Sequence, residues 1–132
     1  MPEINVWAVL AAGASSMVLG ALWYSPALFG RAWSAASGVT EEKAKSANMA
    51  RTMGTAFILA VIGAAVFAMF LGPKPAPMFA TAAGLSAGLC WVAGSFGINY
   101  LFEQRPVRLF LINGGYHTLQ YTLIGLVLGL WH

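Results

Sequence analysis

Charge is what this chain has least of. Only 7 Lys+Arg and 4 Asp+Glu stand among 132 residues, 8% of the chain against a 59% hydrophobic share, and a soluble domain usually carries about three times that charge. Composition alone therefore argues strongly against a water-soluble globule of this size. Cysteine is equally scarce: the single Cys90 cannot form an intrachain disulfide, and its place in an apolar run makes it read as a small core residue rather than a reactive thiolate. His117 and His132 stand 15 residues apart, about 22 Å along one helix, too far to share a metal ion. A Gly-rich phosphate loop, a nucleophile elbow, paired carboxylates and zinc-spaced ligands are all missing. Neither enzyme activity nor a metal or other cofactor is expected.

What is present is a set of long uncharged runs. They cover residues 4–30, 52–73, 75–102 and 109–132, or 27, 22, 28 and 24 residues, and each exceeds the roughly 20 apolar residues that cross a bilayer. The expected fold is all-α: a polytopic membrane protein with four transmembrane helices, a short interfacial helical segment between the first and second, and a single four-span domain over residues 1–132. The opening Met1-Pro2-Glu3-Ile4-Asn5 has no basic n-region, so the first run is expected to be retained as a span rather than cleaved.

Basic residues set the orientation. Arg31, Lys43, Lys45 and Arg51 fall in the first connection and Arg105 and Arg108 in the third, with only Lys74 on the opposite side. Such residues stay on the cytoplasmic side, which places both termini outside the cytoplasm and predicts a multi-pass protein of the bacterial inner membrane. Lipid is then the first partner. The pI near 9.4 follows from this anchoring against anionic headgroups and calls for no nucleic acid.

Along the chain, span one is expected over about Ile4–Tyr24, ending where Pro26 biases Ser25 away from helix. Leu28, Phe29, Ala32 and Trp33 suit a short interfacial helix. Thr40 is a good N-cap for a new helix, with Glu41 and Glu42 in its first turn, and that helix is able to run on into span two at about Thr52–Leu71. Small residues recur every fourth position as Ala56, Ala60, Ala64, Ala68 and Gly72 in and just after span two, Ala12, Ser16 and Gly20 in span one, Ala80, Gly84 and Gly88 in span three, and Gly125 and Gly129 in span four. In lipid such stripes let backbones approach closely. The turn through Pro73, Pro75 and Pro77 is expected to leave spans two and three as antiparallel neighbours, and Gly94 and Gly97 to kink span three. Spans one and three both end on a tyrosine followed by Leu-Phe and an arginine: Tyr24, Leu28-Phe29, Arg31, and Tyr100, Leu101-Phe102, Arg105. This reads as the trace of a duplicated helical hairpin.

Polar chemistry at membrane depth concentrates in span four. Asn113, His117, Gln120 and, slightly to one side, Tyr121 share one helical face, with Asn99 and Tyr100 on span three and Ser15 or Ser16 on span one as expected partners. Such a face must meet other helices or water. It is either a hydrogen-bonded seam or the lining of a path. Glu103, beside Arg105 and Arg108, reads as half of an interfacial ion pair.

Three blocks carry a resemblance: Trp23-Tyr24-Ser25-Pro26-Ala27-Leu28-Phe29-Gly30-Arg31-Ala32-Trp33, Asn99-Tyr100-Leu101-Phe102-Glu103-Gln104-Arg105-Pro106, and Leu111-Ile112-Asn113-Gly114-Gly115-Tyr116-His117. Over nearly its whole length the chain resembles the small bacterial membrane proteins of domain-of-unknown-function family 1761. The resemblance implies a four-span inner-membrane protein and supplies no activity or substrate. Two functions are weighed: a small oligomeric transporter or channel lined by the polar face of span four, and a non-catalytic accessory or structural subunit packed against a larger membrane complex. A pigment- or haem-binding role is a distant third.

Overall fold

The computed structural model describes residues 4–46 and 48–132, without the side chain of Glu41. Glu3, which bounds the first uncharged run, and the Glu41 side chain, expected in the turn after Thr40, lie outside the described residues. Within them every regular element is helical: α1 (Val6–Trp23), α2 (Gly30–Ser37), α3 (Glu41–Ser46), α4 (Met49–Leu71), α5 (Pro77–Ser86), a π-helical segment (Ala87–Ala93), α6 (Gly94–Glu103) and α7 (Val107–Leu130). α5, the π segment and α6 follow one another as a single long helix, Pro77–Glu103. α1, α4 and this composite helix are long and apolar enough to cross a membrane. α7 has the length, at 24 residues, but its polar stretch from Asn113 to Tyr121 lowers its hydropathy.

The ends of these helices follow from local chemistry. Asn5 caps α1, its Oδ1 accepting from the backbone N–H of Trp7 and Ala8 at 3.1 and 3.2 Å. Asn48 caps α4 in the same way through Arg51, so α4 starts afresh and does not continue the short helix that Thr40 caps through Lys43. Gly38, at φ +80°, ends α2 in the left-handed region where a Cβ is disfavoured. Gln104 takes that same conformation at φ 58° to close α6, and the Arg105 N–H then bonds back to the Tyr100 carbonyl at 2.9 Å.

Packing follows the small-residue stripes. Ala8, Val9 and Ala12 of α1 form a buried cluster with Ala64 and Ala68 of α4 and Ile124 and Leu128 of α7. The composite helix lies on α7 at backbone-to-backbone distance: a Cβ at Gly84 would collide with the Tyr121 carbonyl, and one at Gly125 with that of Ala80. A Cβ at Gly88 would stand 2.7 Å from the His117 carbonyl. Only glycine permits that approach, and dispersion contacts across it stabilise the pair where lipid offers no hydrophobic drive.

Three sequence expectations need correction. α4 packs on α1 and the composite helix on α7, while α4 and the composite helix make little contact, so the Pro-rich turn joins two helices that are not side-by-side neighbours. The irregularity that the third helix shows is a π segment over Ala87–Ala93, which lies upstream of Gly94 and Gly97, where the sequence placed it. Cys90 is exposed on the outer surface of that segment rather than in the core, because Ala87, Gly88 and Ala93 hold the inward positions.

Candidate functional site

α7 is the central helix, packing on α1, on α5 and the π segment, and more lightly on α2, α4 and α6. Its polar face therefore looks into the bundle. Asn113 is half-buried and bridges two other helices: its Oδ1 accepts from the Tyr24 hydroxyl at 2.6 Å, and its Nδ2 donates to the Tyr100 hydroxyl at 2.8 Å. One carboxamide thus ties the end of α1 to α6. The two tyrosines are those that open the paired Tyr…Leu-Phe…Arg segments of the sequence, and they converge on a single side chain.

Around this bridge the aromatic rings stack in sequence. Trp23 donates its indole N–H to the Ile112 carbonyl at 2.9 Å and packs on Phe29, while Tyr24 packs on Trp33 and Tyr116. The Tyr116 hydroxyl donates to the Ser16 carbonyl at 2.9 Å. His117 lies parallel to Phe96 at 5.0 Å between ring centroids and meets Tyr116 edge-on at 4.8 Å. Its Nδ1 is 2.6 Å from Oε1 of the buried Gln120. A carboxamide oxygen only accepts, so this contact suits the imidazole form that carries a hydrogen on Nδ1.

The residues singled out from sequence therefore divide. Asn113, His117 and Gln120 come together with Trp23, Tyr24, Tyr100 and Tyr116. Tyr121 leaves the group: it packs edge-on against Phe67 of α4, and its hydroxyl fills the space beside Gly63. Asn99 is exposed. Of the serines, the buried Ser16 contributes its backbone carbonyl, not its hydroxyl, which bonds back to Ala12. Trp33, Phe96 and Tyr116 were not foreseen; aromatic residues two or three turns apart on different helices give no local pattern that would bring them together. Ser25 and Pro26 shape the turn, where the Leu28 and Gly30 N–H groups both bond to the Ser25 carbonyl. Among the described residues each buried side-chain nitrogen or oxygen has a partner, and no group of three or more His, Cys, Asp or Glu is placed to hold a metal ion.

The sequence blocks that build this cluster all lie within the range matched by a family model. The family model described as "Protein of unknown function (DUF1761)" matches residues 7–129. The chain belongs to that family. No curated protein and no solved structure matches it.

Two grooves mark the outside of this DUF1761 bundle. One, of about 320 Å³, lies among Trp23, Leu89, Ala93, Gly115 and Leu119. The other, of about 370 Å³, runs between α6 and the start of α7 and is lined by Gly94, Gly97, Ile98, Leu101, Arg105 and Val107 among others. Phe110 is a wall of both, and Asn113, His117, Gln120 and Tyr121 line neither. Glu103 and Arg105 form an ion pair at 3.4 Å, and Arg105 also donates to the Ser37 carbonyl at 3.3 Å. That contact brings the connection after α1 to the connection before α7.

Proposed function

We propose that this protein is a four-span integral membrane protein of the bacterial inner membrane that serves as a non-catalytic accessory or structural subunit. In this reading α7 is the fourth span. Its polar stretch crosses the bilayer because its amide and imidazole groups are shielded from lipid by the other helices, which removes most of the cost of placing them in hydrocarbon. Six basic residues in the two connections joined through Arg105 and Ser37 support a cytoplasmic position for those connections, with both termini outside.

The observation that carries the choice of role is the Tyr24–Asn113–Tyr100 bridge. A path for ions or solutes needs polar groups turned toward water, whereas here the amide that heads the polar face is engaged on both sides by tyrosines of other helices. The seam fixes helix register, and the outward surface, with residues such as Ile58, Leu59, Ile62 and Phe70 exposed, is left to lipid and to a neighbouring membrane protein.

Mild detergent extraction followed by affinity capture tests this. A larger membrane complex should accompany the protein. Purification as a self-contained assembly, with an ion or solute flux in proteoliposomes that Asn113→Ala or His117→Ala abolishes, would replace this reading with the transporter.

A further inference from the structure

We infer that the groove between α6 and the start of α7 is a binding site for one anionic phospholipid, its phosphate at Arg105 and an acyl chain lying along Gly94, Gly97 and Phe110. The groove, of about 370 Å³, has walls of Gly94, Gly97, Ile98, Leu101, Val107 and Phe110, and Arg105 is its one charged lining residue. An apolar slot that ends at a guanidinium matches an amphiphile with a hydrocarbon tail and an anionic head.

The glycines make the slot. A Cβ at Gly94 would meet nothing within 4 Å, whereas one at Gly97 would stand 3.0 Å from the Phe110 ring. The floor is therefore firm at Gly97 and open at Gly94. Arg105 is 43% exposed, and both of its contacts are long: 3.4 Å to the Glu103 carboxylate and 3.3 Å to the Ser37 carbonyl. A guanidinium has five N–H donors, so donors remain for a phosphate. Arg108 follows within the first turn of α7 and offsets the charge of Glu103. The occupant is a lipid rather than a soluble anion because, apart from Arg105 and a Tyr100 whose hydroxyl is engaged by Asn113, the slot is lined by apolar residues and is flanked by exposed Ile98, Leu101 and Val107, which need hydrocarbon beside them.

The site rests on the membrane reading but not on the accessory role, so either can fail alone. The test is native mass spectrometry of the full chain released from nanodiscs of equal parts phosphatidylglycerol and phosphatidylethanolamine. The wild type should retain phosphatidylglycerol in preference by about fivefold, the ratio one basic residue is worth at an anionic surface. Arg105→Gln should erase the preference, and Gly94→Leu, which fills open space in a helix, should lower retention of both lipids. Arg31→Gln removes the same charge from the other connection and should leave the preference intact. Equal retention of both lipids by the wild type, an unchanged preference in Arg105→Gln, unchanged retention in Gly94→Leu, or an equal loss in Arg31→Gln would each overturn the assignment.

Discussion

The hydroxyl of Tyr24 donates to Oδ1 of Asn113 across 89 residues of sequence, at 2.6 Å, and the same carboxamide donates onward to Tyr100. Hydrogen bonds between helices in lipid are worth about 0.6 kcal/mol on average and at most about 1.7. Tyr24→Phe and Tyr100→Phe should each cost an amount in that range. Asn113→Ala removes both bonds and strands two hydroxyls, so it should cost about 1–3 kcal/mol. Unfolding free energies in mixed micelles check the ranking; an Asn113→Ala protein no weaker than Tyr24→Phe would mean that the bridge is not held in the membrane.

Two glycines of the composite helix should respond in opposite ways to the same methyl group. At Gly84 the new carbon meets the Tyr121 backbone, which cannot swing aside, and at Gly94 it meets open space. Gly84→Ala should lose about 1–3 kcal/mol through overpacking. Gly94→Ala should gain about 0.5–1 kcal/mol from the backbone entropy glycine forfeits in a helix. Equal effects would contradict the close approach of this helix to α7.

Gly30 should be as intolerant as Gly84, for a reason rooted in the turn after α1. Its added Cβ would press on Ser25, with the carbonyl carbon and oxygen both at 2.9 Å, and on the Tyr24 carbonyl. Gly30→Ala should therefore open the Trp23–Gly30 turn and cost about 1–3 kcal/mol. Gly54→Ala, with nothing within 4 Å, serves as the control. A thermal midpoint for Gly30→Ala equal to that control would show the turn to be pliable.

Sidedness can be read with thiol reagents. Cys90 is exposed on the outside of a helix long and apolar enough to cross a membrane, where hydrocarbon would exclude a charged reagent, so a charged maleimide should leave the native protein unlabelled in intact cells. A cysteine introduced at Lys74 should react from outside, and one at Arg105 only after permeabilisation. The opposite pattern would invert the topology.

The sequence made the helices legible because charge bounded them: Arg31 and Lys74 fall outside the long helices, Glu103 is the last residue of α6, and Arg51 and Arg108 lie in the first turns of α4 and α7. The small-residue stripes were legible as contact faces, but a stripe does not name its partner. Ala80 and Gly84 could as well have met α4 as α7. Angular detail was the harder part, since neighbours on a helix point about 100° apart. That angle separates Tyr100, which reaches Asn113, from the exposed Asn99, and Gln120, beside His117, from Tyr121, beside Phe67. The π segment leaves no composition signal at all; its inward face is the same alanine and glycine that α5 uses.

Nearly everything that joins α1 to the composite helix passes through α7, which follows both in the chain. During synthesis the earlier helices must then wait in the bilayer, tyrosine hydroxyls without their amide and glycine faces uncovered, until the ribosome delivers the segment around Asn113. A product truncated before α7 would lack nearly all the contacts that hold α1 to the composite helix.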